Sequence, residues 1–148
     1  MEPIMNAVHS IDPIYLLASA VAQQVLAMAW FDGIVGQIDR YYLAADKGVR
    51  RVEHAITRYP GIMVSAATFA CCLLRSLVVL VIVGMCNCLT LYQYQSAAMV
   101  AVLIGMMRVH RTFSCHRPIQ LFVTETGYEM AAAMTAAVVC YYMKKYNF

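Results

Sequence analysis

The chain has 148 residues, of which 62% are hydrophobic and 13% are charged, and its formal net charge is +3. Soluble domains are roughly 45–50% apolar and about 25% charged. The composition therefore disfavours a soluble domain and predicts a single all-α integral membrane domain over residues 1–148. A chain of this length allows four or five helical spans and leaves no room for a soluble domain.

The first predicted span covers residues 13–31. Asp12 and Pro13 are an acidic cap and a first-turn proline, which are typical of a helix N-terminus. Trp30 and Phe31 end the span and are expected to anchor it at the membrane interface. The polar side chains within it fall within little more than one turn and are Ser19, Gln23 and Gln24.

The connection after this span contains an amphipathic segment, residues 37–59. Apolar residues recur in steps of four and three from Ile38 to Tyr59, which predicts a helix with one apolar face and a break near Gly48. The basic residues on its other faces are Arg40, Lys47, Arg50, Arg51 and Arg58. The segment is expected to lie on the membrane surface. A helix folded back on its own bundle is the alternative.

The second predicted span, residues 61–84, has the strongest signal in the chain because its only charged residue is Arg75. A helix over these residues would be about 36 Å long, and a hydrocarbon core is about 30 Å thick. A buried helix of a soluble protein seldom reaches this length without a polar face. This stretch therefore predicts a membrane crossing.

Two further spans are predicted at residues 89–107 and 119–143, which gives two helical hairpins. Each carries small residues four apart on one face, a pattern that allows helices to approach closely. These positions are Ala97, Ala101 and Gly105 in the third span, and Gly127, Ala131 and Thr135 in the fourth.

The basic residues predict the orientation of the four spans. Eight Lys and Arg residues lie in the two long connections, and only Lys144 and Lys145 lie on the opposite side. The positive-inside rule places the long connections in the cytoplasm, or in the matrix of a mitochondrion. Their cations, including Arg108 and Arg111 of the second connection, are expected to bind anionic lipid head groups such as cardiolipin, and not nucleic acid.

Three charged residues inside the spans are the most informative for function. Arg75 and Glu129 differ in depth by only about 6 Å when both helices start on the same side. A charge near the middle of a membrane costs about 2.5–3.5 kcal/mol, and pairing recovers part of that cost. We therefore predict an intramembrane ion pair between Arg75 and Glu129, with Glu125 as the second candidate partner.

Catalytic and metal-binding patterns are weak in this sequence. The four histidines lie in tails, connections or span ends, which disfavours a bis-histidine haem within the bundle. Cys86 and Cys88 form C-x-C and not the C-x-x-C of disulfide exchange, so a membrane thiol redox protein is a weaker alternative. No catalytic residue, metal site or cofactor is predicted, apart from bound phospholipid.

Two stretches resemble a known family. VLAMAWF (residues 25–31) is similar to a small-residue run ending in tryptophan beside an aromatic residue, and HRPIQLFVTETGYEMAAAMTAAVV (residues 116–139) contains a Gly-Tyr pair, Gly127 and Tyr128. Both features, in this order, resemble the small four-span membrane family known as the domain-of-unknown-function family numbered 1761. Asp32-Gly33 departs from the Ser-Pro-like turn of that family. The resemblance implies a four-span fold and no reaction.

The expected function is that of a non-catalytic accessory subunit of a larger membrane assembly. Small-residue faces on several helices and the scarcity of mass outside the membrane motivate this expectation. The mitochondrial inner membrane, with its respiratory-chain and ATP synthase complexes, is the predicted setting, and other membrane subunits are the predicted partners. The alternative is a small oligomeric ion or solute carrier that uses Arg75, Glu125 and Glu129.

Overall fold

The computed structural model describes His9 and residues 11–49, 60–107 and 109–146, and within these ranges every regular element is helical. The helices are α1 (Pro13–Met28), α2 (Gly36–Asp46), α3 (Gly61–Met85), α4 (Leu91–Met106), α5 (Val109–Ser114) and α6 (Ile119–Tyr146). A π-helical turn, Ala29–Ile34, continues α1. The predicted all-helical class is confirmed for the described residues.

Two helical stretches of this structure are long and apolar enough to cross a membrane, namely Pro13–Ile34 and Gly61–Met85. The 16 residues of α4 extend over about 24 Å, less than a hydrocarbon core of about 30 Å. The 28 residues of α6 provide enough length, but Glu125 and Glu129 make its first half more polar. Two of the four predicted spans thus have the length and apolar character that a membrane crossing needs, and the other two stay a prediction.

Side-chain caps set the ends of two helices. The Oδ1 atom of Asp12 accepts a hydrogen bond from the backbone N–H of Ile14 at 2.9 Å, and so caps α1 as its sequence predicts. Thr90 and Gln93 form a reciprocal capping box at the start of α4. These caps satisfy backbone donors that would otherwise lack partners in the first turn.

Helix α6 is the centre of the bundle and contacts α1, α2, α3, α4 and α5. Its inner face is made of small residues, which allow neighbouring helices to approach closely. Those that are at most 1% exposed are Ala132, Ala133, Ala136, Ala137 and Cys140. The larger core cluster joins the C-terminal halves of α3 and α6 to α4.

Many large apolar side chains lie on the outside of the helices. Only 22% of the most apolar part of Pro13–Ile34 and 28% of that of Gly61–Met85 is buried. A core helix of a soluble protein would be mostly buried. An exposed apolar stripe follows the length of α1 and consists of Ile14, Leu17, Val21, Val25 and Met28. The buried polar residues of the bundle are Ser19, Gln23, Ser76 and Thr124.

The passage from α1 to α2 depends on Gly36. The backbone N–H of Val35 donates to the carbonyl of Trp30 at 2.9 Å, which closes the wider turn of a π-helix. A Cβ atom on Gly36 would lie 2.3 Å from the carbonyl oxygen of Phe31, so a larger residue would require the backbone to shift. The chain then forms α2, which packs against α6 and ends at Asp46, just before Gly48 with its positive φ of 69°.

Candidate functional site

A buried polar cluster joins α1 to α3. Gln23 is fully buried, and its Nε2 atom donates to Oγ of Ser76 at 2.7 Å and to the carbonyl of Ser19 at 3.2 Å. The hydroxyl groups of Ser19 and Ser76 lie 2.8 Å apart, so the two helices share one hydrogen-bonded contact. This contact was not predicted, although the i, i+4 spacing of Ser19 and Gln23 puts both side chains on one helix face.

Arg75 extends this cluster from α3 to α6. Its Nη1 atom donates to Oε1 of Gln23 at 3.0 Å, and its Nη2 atom lies 2.5 Å from Oε2 of Glu129. The guanidinium carbon is also 5.4 Å from the centre of the Tyr128 ring, within the range of a cation–π interaction. One side chain from α3 is therefore bound to partners on both neighbouring helices.

The two members of the ion pair differ in exposure. The side chain of Arg75 is 12% exposed, whereas that of Glu129 is 52% exposed. A buried guanidinium is costly without an anionic partner, while a half-exposed carboxylate can also be hydrated. Glu125, the second candidate, lies one turn away on the same helix and is not the residue that pairs with Arg75.

The ion pair lies in a large open groove of about 910 Å³, which is bounded by α3, α4, α6 and the α5 region and is called here the α3–α4–α6 groove. Ala67, Cys71 and Arg75 contribute to its α3 wall, and Glu125 and Glu129 contribute to its α6 wall. Thr112, Cys115 and Arg117 line it near the connection before α6. Glu125, Glu129 and Arg75 therefore share one groove.

The two stretches that carry the family resemblance are in contact. The Nε1 atom of Trp30 donates to the carbonyl of Thr124 at 3.2 Å, and a Cβ on Gly127 would lie 3.0 Å from Cζ2 of Trp30. The rings of Phe31 and Tyr128 have centroids 5.1 Å apart. Both aromatic residues pack against α6, so they anchor α1 to the bundle in addition to any contact with a membrane interface.

Two basic residues of the connections, one of which (Arg40) is predicted to bind lipid head groups, form ion pairs with acidic residues. Arg40 pairs with Asp32 at 3.3 Å, and both side chains are largely exposed. Arg117 pairs with Asp46 at 3.5 Å, which connects the start of α6 to the end of α2. Lys47 is exposed. The positions outside the described residues are Arg50, Arg51, Arg58 and Arg108, together with the side chain of Arg111.

The predicted small-residue faces differ in how they are used. Ala97 is buried and Ala101 packs against the core, but Gly105 is exposed, with open space where a Cβ atom would lie. The small-residue face of α4 therefore packs against the other helices of this chain over only part of its length. On α6, Gly127 faces Trp30, whereas Ala131 and Thr135 lie at the edge of the inner face and are partly exposed.

The cysteines of the turn between α3 and α4 are both free thiols. Cys86 is exposed and Cys88 is buried. Burial raises the pKa of the Cys88 thiol, and this disfavours the thiolate form on which disulfide exchange depends. The thiol redox alternative stays a prediction. Among the described residues, no group of three or more His, Cys, Asp or Glu side chains is placed to hold a metal ion.

No protein-family model, curated protein or solved structure matches this chain. The resemblance to the four-span family of unknown function therefore stays a prediction.

Proposed function

We propose that this chain is an integral membrane protein with four spanning helices and that it serves as a non-catalytic structural subunit of a larger membrane assembly. The observation that carries the proposal is the exposed apolar surface of the two most apolar helices. Large apolar side chains are exposed along these helices, whereas Ser19, Gln23 and Ser76 bind one another in the interior. Lipid is the solvent that accepts such an exterior.

The polar cluster supports a structural role for the interior. Gln23 and Arg75 together connect α1, α3 and α6 through side-chain hydrogen bonds and an ion pair. In lipid, helix association gains nothing from burying apolar surface, so packing and interhelical hydrogen bonds determine it. The bundle thus has a fixed arrangement of helices that a partner subunit can recognise.

The proposed setting is the mitochondrial inner membrane, with the long connections on the matrix side and cardiolipin as a bound lipid. The excess of basic residues in those connections supports this sidedness. Short α4 and polar α6 are proposed to cross the membrane as parts of the bundle, because both are packed against the more apolar helices.

Native electrophoresis in mild detergent tests the proposed function directly. The tagged chain is solubilised from the membranes that contain it, resolved on a native gel, and its band is analysed by mass spectrometry. Co-migration with unrelated membrane subunits is the expected result. Migration as a monomer or a homo-oligomer would contradict the structural-subunit proposal, and release by alkaline carbonate would contradict membrane insertion.

The α3–α4–α6 groove favours a second candidate function, a small ion or solute carrier. Arg75, Glu125 and Glu129 all line this groove, so charged side chains are available along part of its wall. Flux measured in liposomes that contain only this chain would support the carrier. Flux that is the same with and without the protein would contradict it.

A further inference from the structure

The α3–α4–α6 groove runs along the N-terminal half of α3. Its α3 wall extends from Met63 to Arg75, and Cys71 lies about 15 Å along the helix from Gly61. The C-terminal half of α4 and the N-terminal half of α6 form the other walls. All three half-helices end at the side of the long connections, so the groove belongs to that half of the bundle.

The other half of the bundle is closed by tight packing. Val79 and Val83 of α3 pack with Ala98 of α4 and with Ala133 and Ala137 of α6, and all five are at most 4% exposed. The groove therefore does not continue through this half. It ends near the level of Arg75, where the ion pair lies.

The walls of the groove are largely apolar, but they also carry charged side chains that need water. Glu125 is exposed, and the side chain of Glu129 is 52% exposed. Each charge left facing hydrocarbon near the middle of a membrane would cost about 2.5–3.5 kcal/mol. Thr68 and Thr126 add hydroxyl groups on opposite walls. The groove, at about 910 Å³, is far larger than the space that one water molecule needs.

We propose that the α3–α4–α6 groove is a water-filled vestibule, which opens on the side of the long connections and admits small hydrophilic cations as far as the Arg75–Glu129 pair. The preference for cations follows from the described charges. Two exposed carboxylates line the wall, whereas Arg75 is mostly buried and Arg117 is paired with Asp46. This inference rests on the proposed four-span insertion and goes beyond a structural role, since it assigns the interior an access path from one side.

The native cysteines provide matched probes for this vestibule. Cys71 is exposed in the groove, and its neighbour Cys72 is fully buried. Cys115 lines the groove near its open end, and Cys86 is exposed at the opposite end of the bundle. An impermeant thiol reagent therefore distinguishes access from one side, access from the other side, and general opening of the helices.

The experiment treats membrane vesicles that contain the full chain with a positively charged trimethylammonium methanethiosulfonate, applied to either side. Labelled positions are identified by peptide mass spectrometry. We expect Cys71 to be labelled from the same side of the membrane as Cys115, whether or not Cys86 is labelled. This label should be absent in Cys71→Ser. Cys72 is expected to stay unlabelled. The cationic reagent should react with Cys71 about tenfold faster than an anionic sulfonate analogue, after correction for their rates with a free thiol.

Several results would overturn the proposal. An unlabelled Cys71 beside a labelled Cys115 would mean that lipid or a partner helix fills the groove, and a repeat in liposomes of pure lipid would separate those two. Labelling of Cys72 at the rate of Cys71 would mean that the helices open. A faster anionic reagent, or a charge preference unchanged in Glu125→Gln, would reject the assignment to cations. Labelling of Cys86 and Cys115 from the same side would instead contradict the four-span topology.

Discussion

The pairing of Arg75 with Glu129 leads to a quantitative prediction about stability. A hydrogen bond to a charged group contributes about 1.5–3 kcal/mol. Solvent screens part of this interaction because the carboxylate is half exposed, so we expect a coupling free energy of about 1–2 kcal/mol. Glu129→Leu should destabilise the bundle more than Arg75→Leu, since it leaves a mostly buried guanidinium with Gln23 as its hydrogen-bond acceptor.

The measurement is a double-mutant cycle on the detergent-solubilised protein. The free energy of unfolding is obtained by titration with sodium dodecyl sulfate and followed by circular dichroism, for both single variants and for Arg75→Leu/Glu129→Leu. The matched control is a second cycle that combines Arg75→Leu with Glu125→Leu. Glu125 lies one turn away from Glu129 on the same groove wall. The control cycle should be additive within about 0.3–0.5 kcal/mol. Additive losses in the Arg75–Glu129 cycle would refute the energetic role of the pair.

Three further predictions follow from packing, hydrogen bonding and burial. Gly127→Ala places a methyl group 3.0 Å from the ring of the only tryptophan, so it should lower the free energy of unfolding by about 1–3 kcal/mol and shift the tryptophan fluorescence. The control, Gly105→Ala, meets open space and should not shift the fluorescence. Gln23→Leu removes the acceptor of a guanidinium N–H and should lower the free energy of unfolding by about 1–3 kcal/mol, and an unchanged value would contradict the proposed cluster. Since burial raises the pKa of Cys88, its thiol should be alkylated more slowly than that of Cys86 at neutral pH. The alkylation rate of Cys88 should rise only above the ordinary pKa of a thiol, as measured by iodoacetamide labelling between pH 7 and 10. Equal rates for the two cysteines at neutral pH would contradict this prediction.

The helical class and the starts of α1 and α3 could be predicted because they depend on local features. Asp12 and Pro13 mark the start of α1, and Pro60 precedes α3, as their backbone chemistry requires. The described amphipathic segment forms α2, which ends at Asp46 close to Gly48. Apolar length alone is a weaker guide for the last two helices. It does not reveal that short α4 and polar α6 pack against more apolar neighbours.

The sequence by itself determined the helices, their apolar character, and the similar levels of Arg75 and Glu129 along α3 and α6, because helical rise and side-chain polarity are properties of each residue. Only the tertiary structure decided that Gln23 is the second partner of Arg75, that Trp30 packs on Gly127, and that a groove opens beside the ion pair. These features depend on the rotation of each helix about its axis and on the angles between helices. Contacts between residues far apart in the chain set those angles, and the periodicity of one helix carries no information about them.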